Sequence, residues 1–183
     1  MTTVEILLIG IGLSMDAVAV SMSNGMVYRN TSKGKIIAQP LYFAVFQGIM
    51  PLLGGVLAGG IFATAVSKYS GIAVFLILGV IGGKMIKEGY SKLKEEVCTK
   101  PFLTHKILLI QAIVTSIDAF AVGIGLKILH VELLPAASLI ALTTGVLVAV
   151  AIVIGKKFGE YVGCKAEMLG GVILVIIGIK SML

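Results

Sequence analysis

Long, uninterrupted apolar runs constrain this chain more than anything else in it. Six segments come near the ~20 mainly apolar residues that a transmembrane helix needs. They are Ile6–Val27, Ile36–Phe62, Ile72–Ile86, Ile107–Leu129, Leu133–Ile154 and Met168–Leu183, the third and sixth being short. Polar breaks separate them at Tyr28–Lys35, Ser67–Gly71, Lys87–Lys106, His130–Glu132 and Gly155–Glu167. The runs show no two-residue alternation, so helices rather than barrel strands are expected. Composition agrees: 58% of residues are hydrophobic and 13% charged, against about 45–50% and about 25% in soluble domains. A soluble fold of this length could not hide so much apolar surface, whereas a lipid bilayer takes it up.

The formal net charge of +6 does not indicate a nucleic-acid partner, because no basic domain carries it. The positive residues sit in the short connections between apolar runs, where membrane proteins place them. With the N-terminus outside, the inner face receives twelve lysines and arginines, among them Arg29, Lys33, Lys35, Lys106, Lys156 and Lys157. The outer face receives only three, Lys68, Lys127 and Lys180. Both termini are therefore expected outside the cytoplasm, with the long Lys87–Lys106 connection inside. The first run lacks the basic flank of a signal peptide and exceeds its usual 7–15 apolar residues, so it reads as a retained helix. Cys98 and Cys164 lie far apart in polar connections and form neither a disulfide framework nor a metal signature.

The two halves resemble each other. Ser14-Met15-Asp16-Ala17-Val18-Ala19-Val20 matches Ser116-Ile117-Asp118-Ala119-Phe120-Ala121-Val122, and Ile81-Gly82-Gly83-Lys84 matches Ile177-Gly178-Ile179-Lys180. Gln47-Gly48 and Thr144-Gly145 occupy corresponding places in the second span of each half. Each half has an odd number of spans, so the second enters the membrane inverted. The expected fold is an all-α membrane protein of six transmembrane helices built as two inverted three-helix repeats. Residues 1–183 then form one integral domain, with repeats at 1–90 and 107–183 joined by the cytoplasmic connection 87–106. Secondary transporters use this architecture to build a midplane site between the repeats.

Asp16 and Asp118 lie near the centres of their spans. A carboxylate at that depth costs about 2.5–3.5 kcal/mol on insertion scales, so two of them call for a function or a partner. One bland account is a buried ion pair with Lys84, but that lysine sits near the inner end of its helix and can snorkel. At helical spacing Asp16 shares a face with Gly12, Ala19 and Ser23, and Asp118 with Thr115, Ala121 and Gly125. Small residues let helices approach closely in lipid. Two close, inverted helices can bring both carboxylates to one divalent cation. Hydroxyl, amide and backbone oxygens would complete the oxygen shell that suits manganese or magnesium. The candidate further ligands are Ser14, Asn24, Gln47, Ser116, Thr143 and Thr144. Pro51, four residues beyond Gln47, frees the Gln47 carbonyl from its helical bond. No histidine or cysteine lies within a span, which disfavours copper(I) and thiolate-bound zinc.

Several motifs in order resemble the MntP family of bacterial manganese efflux pumps. They are Leu13-Ser14-Met15-Asp16-Ala17 with Ser23-Asn24-Gly25, Phe46-Gln47 before Met50-Pro51-Leu52, and Gly82-Gly83-Lys84-Met85-Ile86-Lys87-Glu88-Gly89. Thr115-Ser116-Ile117-Asp118-Ala119 with Ala121-Val122-Gly123, and Lys165-Ala166-Glu167-Met168-Leu169-Gly170-Gly171, extend the resemblance almost end to end. The resemblance implies a six-helix inner-membrane protein that exports Mn²⁺, with membrane-embedded aspartates at Asp16 and Asp118 and a glycine at Gly25. Some members carry a carboxylate where this chain has Gln47, so a third acidic ligand does not carry over. Glu88 and Glu167 match family positions near the cytoplasmic helix ends.

The expected function is export of Mn²⁺ as transported substrate, with no resident cofactor. Proton antiport is the expected drive, because a carboxyl in a low-dielectric site can exchange its proton for a metal ion. No phosphate-binding loop is present to couple ATP. An intramembrane aspartyl protease also needs two aspartates, but both here sit in Ser-x-Asp-Ala contexts and no other hydrolase motif occurs, so the chain is not read as an enzyme. Export of another divalent cation or small solute, and a non-transporting membrane module, remain the alternatives. The sequence carries no signal of oligomeric state.

Overall fold

The computed structural model describes residues 2–28, 33–57, 75–76, 79–80, 82–84, 86–87, 90, 103–162 and 166–180. Among them there is no strand. The helices are α1 (Thr3–Val27), α2 (Lys33–Val56), α3 (His105–Thr115), α4 (Ile117–Ile128), α5 (Leu133–Val162) and α6 (Ala166–Lys180). Four helical segments are long and apolar enough to cross a membrane: Thr3–Val27, Gly34–Val56, His105–Ile128 and Leu133–Gly159. The expected third span, Ile72–Ile86, is described at only about half of its residues, and those are helical. Most of the connection beyond it, Glu88 and Cys98 included, and Cys164 lie outside the described residues.

Two expectations about the elements need correction. The expected span Ile107–Leu129 is not one helix, because it breaks at Ser116 between α3 and α4. The Thr115 and Ser116 hydroxyls donate back to the Gln111 and Ala112 carbonyls at 2.9 and 2.7 Å, competing with the backbone ladder. The Ser116 amide turns instead to the Ile113 and Val114 carbonyls. The expected polar break at Gly155–Glu167 also begins too early, since α5 continues to Val162. Lys156 and Lys157 can extend from the end of a helix without ending it.

The bundle is apolar outside, and its interior holds polar as well as apolar side chains. On α2 the exposed residues Ile37, Leu41, Val45, Ile49, Leu53 and Val56 recur every three or four positions and form one stripe. On α5 Leu142, Val146, Val150 and Val153 do the same. Ser14, Ser21, Ser23, Asn24, Gln39, Gln47, Gln111, Thr115, Ser116 and Thr144 are buried instead. That distribution suits a lipid solvent, because a buried polar group in hydrocarbon must find its partner inside the protein.

Helix directions follow from the close approaches. Gly10 lies beside Ile140 and Gly25 beside Ile152, so α1 and α5 run in parallel. Gly54 lies against Phe120 and Gln47 bonds Ser116, so α2 runs parallel to the α3–α4 pair. Gly48 meets Ala141 and Gly145 meets Ala44, so α2 and α5 are antiparallel. Two apolar clusters fill the bundle. One gathers Ala17, Val20 and Met26 of α1 with Phe43, Leu108, Ala112, Val148 and Ile152. The other gathers Leu13, Ala119, Leu126, Ala136 and Ile140, with Ile9 packed against it.

The turn after α4 closes as the His130–Glu132 break predicts. The Val131 amide donates to the Leu126 carbonyl and the His130 amide to that of Lys127, at 3.0 and 3.1 Å. This is the paired Schellman pattern, and it puts His130 in the left-handed region at φ 56°. A side chain there costs roughly 1–2 kcal/mol, partly offset by the greater unfolded-state entropy of glycine. His130→Gly should therefore stabilise the protein by up to about 1 kcal/mol. Thermal unfolding in detergent would show it as a melting temperature higher by a few degrees, and no rise would contradict the strain.

Candidate functional site

A buried polar layer lies between the two apolar clusters. Ser14 Oγ sits 2.7 Å from Thr144 Oγ1, joining α1 to α5. Ser116 Oγ donates to Gln47 Oε1 at 2.8 Å, joining the α3–α4 break to α2. Gln47 also donates through Nε2 to the Leu13 carbonyl at 3.1 Å, tying the two pairs together across α1. All four side chains are fully buried.

Each serine precedes an aspartate by two residues, which sets Asp16 and Asp118 at the axial level of the layer but on another face of the helix than the serine. Both aspartates are half-buried, and their carboxyls lie within Coulombic range of each other. Asp118 stands in the first turn of α4, immediately after the break. Its Oδ1 accepts from the Ala119 amide at 2.8 Å. A helix N-terminus favours negative charge, and the break at Ser116 supplies that terminus within the span.

The layer has more acceptors than protons to satisfy them. Ser14 has one hydroxyl proton, with the Gly10 carbonyl at 2.6 Å and Thr144 Oγ1 at 2.7 Å both in reach. The Thr144 hydroxyl is itself 2.9 Å from the Ile140 carbonyl. Ser116 likewise divides one proton between Gln47 Oε1 and the Ala112 carbonyl. When the hydroxyls bond their own helices, lone pairs of Ser14, Thr144, Ser116 and Gln47 are left facing the interior. Such a surplus of oxygen lone pairs at the level of two carboxylates is the kind of donor chemistry that a hard divalent cation takes.

The other candidates lie elsewhere. Thr143 donates to the Leu139 carbonyl at 2.8 Å and is only half-buried. Asn24 is eight residues beyond Asp16, about 12 Å along the helix axis, and pairs with Gln111 across α1 and α3. Among the described residues, no three histidine, cysteine, aspartate or glutamate side chains gather as a metal cluster. Sequence reasoning missed Gln111. Its signal was present, since it is the sole amide in the run Ile107–Leu129.

Relatives match the chain over almost its whole length. The sequence pattern of a family described as "Putative manganese efflux pump" matches residues 29–182. A protein of Ruminiclostridium cellulolyticum named "Putative manganese efflux pump MntP" is 42% identical over 180 residues, covering 98% of this chain and 95% of its own. One from Wolinella succinogenes, "Putative manganese efflux pump MntP 1", is 42% identical and covers 98% and 97%. One from Clostridium botulinum, "Putative manganese efflux pump MntP 2", is 38% identical over 189 residues, covering 98% of this chain and 94% of its own. No solved structure matches the chain. With its apolar helices and matching relatives, the chain is a multi-pass membrane protein that belongs to the MntP family of manganese efflux transporters.

Proposed function

We propose that this protein exports Mn²⁺ from the cytoplasm through a site between two inverted halves, at the level of Asp16 and Asp118. The single observation that carries this reading is the pair of crossed contacts, Ser14 to Thr144 and Ser116 to Gln47. The repeat register superposes Ser14 on Ser116 and Gln47 on Thr144, so each contact is the image of the other under exchange of halves. Parallel packing of α1 with α5 and of α2 with α3–α4 supports the same two-fold relation. The cation is held by Asp16 and Asp118, with Gln47, Thr144, Ser14 and Ser116 as neutral oxygen donors. Asn24 serves the same cation further along α1, as argued below.

In this reading six spans, an even number, keep both termini on one side, and the lysine and arginine distribution makes that side the outside of the cytoplasm. Proton exchange drives the cycle, with the two carboxyls carrying protons when the metal has left.

Inside-out membrane vesicles test the whole reading. Mn²⁺ supplied outside should accumulate in the lumen, ahead of Mg²⁺ and Zn²⁺, and a trapped pH-sensitive dye should report lumenal alkalinisation. Vesicles that take up no more Mn²⁺ than those lacking the protein would overturn export, and uptake without alkalinisation would overturn proton exchange alone.

A further inference from the structure

The two halves match at the level of the aspartates and part company further along. On one side of the polar layer, Asn24 Nδ2 donates to Gln111 Oε1 at 2.8 Å and Gln111 Nε2 donates back to Asn24 Oδ1 at 3.2 Å. Both amides are almost fully buried, at 2% and 1%. The register that lays Asp16 on Asp118 places Leu126 where Asn24 stands and Ile9 where Gln111 stands. Leu126 and Ile9 indeed pack in one apolar cluster on the opposite side of the layer. The polar pair at one end thus has apolar residues, Leu126 and Ile9, at the matching positions of the other.

Further groups mark the polar end. Ser21 Oγ and Ser23 Oγ are buried without a hydrogen-bond partner, within the turn of α1 that leads to Asn24. Gln39 Nε2 on α2 is buried without one as well. Buried orphan polar atoms point to water or an ion, because each otherwise costs about 1–3 kcal/mol.

We propose that Asn24 and Gln111 form a second cation subsite, which closes the cytoplasmic end of the pathway when empty and binds a partly hydrated divalent cation when it opens. The proposal rests on reading Asp16 and Asp118 as the principal site. Parting the amides breaks two buried hydrogen bonds, and the freed carbonyl oxygens then need a partner. A cation arriving from the cytoplasm supplies one, with Ser21 and Ser23 available to its remaining water. Opening at this end is thereby coupled to the presence of the ion. Leu126 and Ile9 have no side-chain oxygen to offer, so at that end the ion leaves without being held. An apolar closure of this kind gates by excluding water.

The test transplants one closure onto the other. An Asn24→Leu/Gln111→Ile double variant in inside-out vesicles should need at least about tenfold more Mn²⁺ for half-maximal uptake, the loss of about 1.4 kcal/mol of binding. A half-saturation unchanged from the original would overturn the proposal. A second measurement covers the case in which that variant fails to fold. In the full chain carrying Asp16→Asn and Asp118→Asn, in detergent micelles, added Mn²⁺ should still broaden the side-chain amide resonances of Asn24 and Gln111. Sharp resonances at millimolar Mn²⁺ would overturn the subsite. That arm is independent of transport, so failure of the principal site and failure of the second one are read separately.

Discussion

Asp16→Asn and Asp118→Asn should each lower Mn²⁺ uptake into inside-out vesicles by about 100-fold or more at sub-saturating metal. The magnitude follows from charge. Two unit charges 4 Å apart at an effective dielectric of 20 interact by about 4 kcal/mol, and a divalent cation doubles that. Desolvation returns much of it, but about 2.8 kcal/mol of net loss already gives 100-fold. Asparagine keeps the size and one carbonyl oxygen, so the change isolates the charge. It also removes an ionisable group from the membrane interior, where a carboxylate costs about 2.5–3.5 kcal/mol. The variants should therefore fold and insert at least as well as the original chain. Normal amounts of well-behaved protein with no transport is the expected result. Full uptake by either variant would sink the paired-carboxylate site.

The second large effect concerns the crossing of α1 and α5. A Cβ added at Gly155 would collide with the Met22 backbone, and one at Gly25 would stand 2.6 Å from the Ile152 carbonyl oxygen. Gly159 meets the Met26 backbone in the same way. Here the two backbones touch, and no flexible side chain can give way. In lipid this close packing replaces the hydrophobic effect as the force between helices. Gly155→Leu should destabilise the protein by at least about 3 kcal/mol, the upper part of the range for overpacking. Detergent thermal unfolding should show a large drop in melting temperature, and transport should fall because the Ser14–Thr144 contact belongs to the same interface. Gly12→Ala provides the contrast, since nothing lies within 4 Å of the added Cβ. That variant should lose no stability and gain up to about 1 kcal/mol from alanine's greater helix propensity. Equal losses from both would show that the crossing is not backbone-tight.

Particular residues show why some of this was legible and some was not. Asp16 and Asp118 stood out because a charge in an apolar run is costly wherever the helices go. Gln47 and Thr144, named as neutral oxygen donors at corresponding places of the two halves, are buried completely and set against Ser116 and Ser14. The pairing of Asn24 with Gln111, about 12 Å along the helix from Asp16, was not legible in the same way. The break at Ser116 escaped notice because Thr115 and Ser116 read as ordinary small polar residues, and only their hydroxyl bonds to the preceding turn interrupt α3. The end of α5 was misplaced for the converse reason. Gly155-Lys156-Lys157 looks like a connection, yet Gly155 is held helical against Met22.

By itself, the sequence determined the solvent and the element type, because a run of about 20 apolar residues has one common solution in lipid, a helix that satisfies its own backbone. It also determined which residues are costly enough to require a role. Which polar side chains meet was decided only by the tertiary structure. Partnership depends on how each helix is rotated and which glycines let two backbones touch. Those quantities come from packing many faces at once, and no single segment contains them.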